Sequence, residues 1–180
     1  MLYLRNKNNM KIFIGLLLVT IFGSSTFAQP VNQTIIDPKD SSEILYGYFT
    51  RDILTTSPYK SWFQEGYENY NPDKKTMKSL KRKLPADLKI FVIMGSWCSD
   101  SQREVPHFLK ILDNVSFDQK NLTFIAVDHQ KKTSHFSLVH LKIERVPTFI
   151  FYSNNRENRI VETPKTTLEK DMLEIVRNIK

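Results

Sequence analysis

Cysteine is nearly missing from this chain of 180 residues: Cys98 stands alone. A single thiol excludes an internal disulfide, and with four scattered histidines it gives no support to a structural zinc site. Glycine is scarce, with five residues, and there is no internal repeat or low-complexity tract, which favours regular structure over repeat or linker architecture. Long apolar runs are also lacking. The longest, Ile12 to Phe22, falls well short of the roughly 20 residues that a membrane span needs. What is present is ordinary for a globular domain: 41% hydrophobic and 25% charged residues, which excludes wholesale disorder. The length supports one compact domain and is short for two.

The apolar run comes after a basic start (Arg5, Lys7, Lys11) and precedes small residues, with Thr26-Phe27-Ala28 as a cleavage site before Gln29. This layout predicts a secretory signal peptide over residues 1–28, hence a periplasmic or secreted protein with no stable membrane anchor after cleavage. The leader holds three of the 26 basic residues and no acidic one, so the remainder carries 23 against 19 and its net charge falls from +7 to +4. Much of that excess lies in Lys74-Lys75, Lys78 and Lys81-Arg82-Lys83. In an exported protein such a cluster reads as a solvated helix face or a contact for acidic surfaces, and nothing points to nucleic acid. An oxidising compartment normally pairs cysteines. Cys98 is therefore a free thiol, an intermolecular bridge or a buried inert residue.

Residues 29–84 read as a helical N-terminal extension that packs on the core formed by the rest of the chain. Ile44, Leu45, Tyr48, Phe49, Trp62, Phe63, Tyr67 and Tyr70 carry a helical, aromatic pattern from Ser41 to Leu84, broken at Ser57-Pro58 and Asn71-Pro72. Residues 85–180 read as an α/β domain. Leu88 to Met94 is a buried strand of the parallel kind. Gly95 to Ser101 leads into a helix whose apolar face is Val105, Phe108, Leu109 and Leu112. Leu122 to Val127 is the next strand, a short helix spans about Ser134 to Leu141, and Phe149–Tyr152 with Arg159–Val161 form a hairpin. A last helix starts at the capping box Thr166-Thr167-Leu168-Glu169. The order is βαβαββα, with the first two strands parallel through a right-handed crossover.

Ligands of open α/β sheets bind at the carboxyl ends of strands, where this reading puts Cys98. The unpaired amides and partial positive charge of a helix N-terminus favour its thiolate, the reactive form. The local motif here resembles the thioredoxin superfamily. Trp97-Cys98-Ser99-Asp100-Ser101 is similar to that family's W-C-x-x-C with serine last. Pro106, eight residues after Cys98, sits where the family has a helix-kinking proline, and Val146-Pro147-Thr148 resembles its cis-proline turn. The chain also resembles exported thioredoxin-like proteins with a single-cysteine W-C-x-D-S motif. The resemblance covers residues 85–180. It implies a thioredoxin-like fold with a central mixed sheet flanked by helices, Cys98 as nucleophile, Ser101 beside its sulfur, and Trp97, Ser99, Asp100, Val146 and Pro147 as substrate contacts. No metal or cofactor is expected.

The departures from the family change the chemistry. Ser101 replaces the thiol that would release a mixed disulfide from within, and a hydroxyl is too weak a nucleophile for that step. Val92 stands where many thioredoxins bury an aspartate that serves the missing thiol. Asp100 stabilises the first turn but opposes ionisation of Cys98, and Ser101 with Glu104 also fits a capping box. His107 lies about 13 Å along the helix from Cys98 and is no catalytic partner, while His129 reads as an exposed loop residue at the end of a strand. The leading expectation is a single-cysteine thiol-disulfide oxidoreductase or isomerase that forms mixed disulfides with exported proteins or small thiols. A non-catalytic thioredoxin-fold binding module and a peroxide-reactive thiol are the alternatives.

Overall fold

The structure, a computed structural model, describes residues 30–133 and 137–179; the leader expected over residues 1–28 lies outside them. The chain opens with two short strands, β1 (Thr34–Ile36) and β2 (Glu43–Leu45), paired antiparallel. After Tyr46 it changes sheet and enters β3 (Gly47–Phe49). A helical reading of Ile44 to Phe49 is thereby corrected. Gly47 sits at φ 96°, outside the helical region and open only to glycine at little cost. The apolar spacing there fits two three-residue strands as well as it fits a helix, and the backbone of Gly47 decides between them.

The helical pattern holds further on, in α1 (Lys60–Asn69) and α2 (Lys74–Lys83). Asp73 caps α2 by accepting the Thr76 N–H at 2.8 Å, and Lys81, Arg82 and Lys83 sit on the negative end of its dipole. Then come β4 (Lys89–Met94), α3 (Ser99–Asn114), β5 (Leu122–Ala126), β6 (Thr148–Ser153), β7 (Arg156–Val161) and α4 (Leu168–Asn178). The main sheet has the order β3-β5-β4-β6-β7. β4 is parallel to β5, as the crossover through α3 requires, and the other neighbours are antiparallel. The helix expected from Ser134 is a short 3-10 turn, Val139–Leu141, among the described residues; residues 134–136 lie outside them.

Alternation along β4 divides the core. Ile90, Val92 and Met94 face a cluster shared with all four helices, in which Phe108 stacks on Phe149 at 4.2 Å between ring centres. Ile93 joins a second cluster on the opposite face, with Ile125, Val127, Val146 and Ile150, and Trp97 and Cys98 pack at its edge. Helix α1 crosses α3 closely enough that a Cβ on Gly66 would lie 3.1 Å from the Pro106 ring.

Two carboxylates tie the early helices to the late ones. Asp113 of α3 takes both Arg51 guanidinium nitrogens, at 2.8 and 2.7 Å, and the Tyr67 hydroxyl at 2.6 Å. Glu169 of α4 takes the Tyr70 hydroxyl at 2.6 Å and the Asp73 N–H at 3.1 Å. The expected capping box at α4 is therefore corrected: Glu169 is buried against Tyr70 and Asp73, and Asp171 instead gathers the N–H groups of Lys165 and Thr166. Burial alone raises the Asp113 and Glu169 carboxyls. Their hydrogen bonds outweigh it and hold both below the ordinary carboxylate range.

Lowered folded values give the sign of the acid response. This stabilisation is complete above the unfolded carboxylate range, near pH 4, and is lost as pH falls through the lower folded values. Asp113→Asn and Glu169→Gln are each expected to cost about 1–2 kcal/mol at neutral pH and to flatten the loss of stability on acidification. Urea unfolding at pH 7 and pH 3 checks this; a double variant as acid-sensitive as the parent would refute it.

Candidate active site

β4 ends at Met94, and the turn Gly95–Trp97 closes with the Cys98 N–H donating to the Gly95 carbonyl at 3.0 Å. Cys98 is the N-cap residue of α3 and is a free, half-buried thiol. Its Sγ donates to the Val146 carbonyl at 3.3 Å. The Val146–Pro147 peptide is cis, and its loop is held by the Thr148 hydroxyl on the Arg145 carbonyl at 2.6 Å and by the Glu162 N–H on the Pro147 carbonyl at 2.7 Å. Cys98, Trp97 and Val146 thus meet at one end of the sheet, contributed by two chain crossings that neighbour each other only because β4 pairs with β6.

Ser101 lies in the first turn of α3, fully buried, and its Oγ accepts the Gly95 N–H at 3.3 Å. It caps the strand-to-helix turn rather than the helix, and the capping box with Glu104 is not formed: Glu104 pairs with Arg103 at 2.8 Å. Ser99 is exposed. Asp100 forms an i,i+3 ion pair with Arg103 at 2.7 Å, so a cation sits on the one carboxylate in the first turn of α3. Val92 is fully buried in the helix-side core. His107 is away from this site and stacks on Tyr70 at 4.2 Å; burial and the charges of Arg103 and Lys110 push its pKa down.

Trp97 is the most heavily held side chain of the site. Its Nε1 donates to the Val127 carbonyl at 2.9 Å, its ring stacks on His129 at 3.8 Å, and the Lys131 ammonium lies 5.5 Å from the ring centre. His129 in turn bonds Asp37 at 2.6 Å between Nε2 and Oδ2. Asp37 is 1% exposed, and the Lys39 N–H, together with the weaker His129 contacts, holds its carboxyl below the usual range. The reading of His129 as an exposed loop residue is corrected accordingly. The Ser96 hydroxyl accepts the Leu45 N–H at 2.9 Å, and Gln102 Nε2 donates to the Ser96 carbonyl at 2.8 Å. Asp37, Ser96 and Gln102 carry no signal in the sequence: Asp37 sits in a polar lead-in and meets His129 across 92 residues. Among the described residues no three side chains of metal-binding type cluster, and no helix is long and apolar enough to cross a membrane.

Gly95 lets Trp97 lie flat against the turn. A Cβ there would fall 2.6 Å from the indole Cε2 and 2.7 Å from Nε1. Gly95→Ala is therefore expected to lift the ring from His129 and break its bond to Val127. In a Trp62→Phe background this reads as a red shift of the remaining tryptophan emission, and an unmoved spectrum would contradict the packing described.

The thioredoxin family's sequence model matches residues 48–175. No curated protein matches the chain. Among solved structures, a protein of unknown function from Pseudomonas aeruginosa is similar at 16% identity and a TM-score of 0.44, covering 66% of this chain and 78% of that one. Thioredoxin O2 from Arabidopsis thaliana, in its oxidised state, is similar at 16% identity and a TM-score of 0.35, covering 59% of this chain and 88% of its own. With the family match spanning more than two thirds of its length, the chain belongs to the thioredoxin family.

Proposed function

We propose that this is an exported thioredoxin-like protein that exchanges thiols and disulfides through one sulfur, as an oxidoreductase or isomerase without a resolving cysteine. The observation that carries this reading is the contrast between positions 98 and 101. Cys98 is free and partly exposed at the head of α3, whereas Ser101 is fully buried and engaged with the Gly95 N–H. A half-buried thiol at a helix start, in a chain with no second cysteine, supports attack on an outside disulfide without internal release.

In the first step Cys98 gives its proton to solvent and its thiolate attacks one sulfur of a substrate disulfide. That S–S bond breaks, a Cys98–substrate disulfide forms, and the departing thiolate takes up a proton. Release then requires an attacking thiol from outside Cys98's own helix. A small thiol that attacks the Cys98 sulfur releases the substrate reduced and leaves a Cys98–small-thiol disulfide. A second small thiol then frees Cys98 and departs as the small-molecule disulfide. A different cysteine of the substrate that attacks the substrate sulfur expels the Cys98 thiolate and leaves the substrate with a rearranged disulfide and no net change in oxidation. Trp97, Ser99 and Asp100 on one side and Val146 and Pro147 on the other form the contact surface for the substrate segment. Exported proteins and small thiols are the partners this chemistry calls for, in the compartment that the basic and apolar leader of residues 1–28 predicts.

Treating cells with an alkylating reagent and resolving extracts without reductant tests the reading. Cys98-dependent adducts are expected, absent in Cys98→Ala. Partner capture that survives Cys98→Ser unchanged would instead establish a non-catalytic binding module. Ser101→Cys provides a second check. It places a thiol within one helical turn of the mixed disulfide, so intramolecular release is expected to shorten the adduct's lifetime by orders of magnitude. An adduct as long-lived as that of the parent would contradict the assigned role of position 101.

A further inference from the structure

Tyr59, at the N-terminus of α1, has a buried hydroxyl that nothing satisfies. The residue is 4% exposed, and its Oη has no hydrogen-bond partner among the described residues. The neighbouring tyrosines behave differently: Tyr67 donates to Asp113 and Tyr70 to Glu169, each at 2.6 Å. Burial pushes the Tyr59 hydroxyl up to about 12, with the Glu43 carboxylate adding to the shift, so it remains protonated at neutral pH. A buried hydroxyl left unpaired is a cost that a fold removes unless something else fills the bond.

Tyr59 stands on the wall of a groove of about 550 Å³ that runs from the β2 region to the Trp97 turn. Its apolar walls are Ile44, Tyr59, Trp62 and Trp97, and Asp40 and Glu43 stand at its rim. No lysine or arginine lines it, although the chain carries 26 basic residues against 19 acidic ones. The Ser42 hydroxyl and N–H hold the Asp40 carboxyl below the ordinary range, so the rim is charged at neutral pH. Two carboxylates over aromatic walls complement a cation carried on an apolar stem. Ser96, Trp97 and Gln102, which flank Cys98 in sequence, line one end of this groove, so it opens within a few residues of the reacting sulfur.

We infer that the groove is a specificity subsite for a lysine or arginine side chain, carried on an extended substrate segment two to four residues from the cysteine that pairs with Cys98. The stem lies along Trp62 and Trp97, the charged head sits between Asp40 and Glu43, and one of its N–H groups fills the empty bond of Tyr59. The Tyr59 Oη is sealed from solvent in the free protein, so the groove wall must yield slightly to admit the head. This names the substrate class for the thiol exchange proposed above and rests on that reading.

The test uses short extended peptides with one cysteine and either arginine or glutamate three residues away. Cysteine-free versions, with serine in its place, are titrated against the Cys98→Ser protein by fluorescence anisotropy at low salt. The arginine peptide is expected to bind about tenfold more tightly than the glutamate peptide, the size of one cation–aromatic contact backed by charge. That gap should close in the Asp40→Asn, Glu43→Gln double variant. Tyr59→Phe removes only an unpaired hydroxyl, so it should melt no lower than the parent while binding the arginine peptide more weakly. Equal affinity for the two peptides overturns the proposal, and so does undiminished binding to Tyr59→Phe. The cysteine peptides, carried as mixed disulfides with thionitrobenzoate, separate this inference from the thiol chemistry. Attack by Cys98 forms the protein–peptide disulfide and releases coloured thionitrobenzoate. Preferential arginine binding without release upholds the groove and removes the exchange reading; equal release rates for both peptides uphold exchange and overturn the groove.

Discussion

Strand β4 is hydrogen-bonded along both edges, parallel to β5 and antiparallel to β6, and this enclosure determines the placement of the site. A strand so enclosed has no freedom to slip, because a shift of one residue would turn Ile90, Val92 and Met94 away from the helix-side core. Its register fixes where Gly95 begins the turn and where Cys98 starts α3. The same register, read across to β6, sets the Val146 carbonyl against Sγ at 3.3 Å. Parallel pairing with β5 then brings the Val127 carbonyl to the indole N–H of Trp97 and His129 against the ring face. Three segments distant in sequence thus converge on one cysteine.

What this convergence does chemically depends on the last position of the motif. Ser101 is as deeply buried as the surrounding core, and its one hydroxyl bond goes to the backbone of the turn. It stabilises the geometry that presents Cys98 and contributes no nucleophile. Val92 completes the change. It lies fully buried among apolar neighbours, where a carboxylate would carry a large desolvation cost with no partner thiol to serve. Both positions hold groups that only support the scaffold, while the entrance, Trp97 to Cys98 and the cis Val146–Pro147 peptide, stays built. For the thiol exchange proposed above, this arrangement means that the second thiol comes from elsewhere.

The elements legible in the sequence are those in which pattern and environment coincide. β4, α3, β5, the β6–β7 hairpin and α4 are long enough to show their period, and the W-C-x-D-S and Val-Pro-Thr signals fall at their junctions. Residues 43–49 mislead because three-residue strands carry too little period to outweigh a helix-like spacing, and the decisive fact is the backbone angle of one glycine. The two expected capping boxes fail for a shared reason. Ser101 and Glu169 each find a partner, the Gly95 N–H and the Tyr70 hydroxyl, that local spacing does not reveal. Asp37 is illegible on the same ground, since the partner that ties it to the site is a histidine 92 positions away.

A boundary after Leu84 divides the sequence by pattern, but the contacts cross it repeatedly. β3 is the partner that closes the outer edge of β5. The Leu45 N–H satisfies the Ser96 hydroxyl inside the turn before Cys98, and Asp37 holds the histidine against which Trp97 is stacked. Without the early segment, β5 would expose an open edge, Ser96 would lose its buried donor and His129 its carboxylate. The early segment therefore belongs to the site as well as to the fold. It also supplies both carboxylates of the groove walled by Tyr59, Trp62 and Trp97, in a chain otherwise rich in lysine. A thioredoxin-like sheet places the sulfur; in the specificity proposed above, the strands and turn that precede it select the substrate.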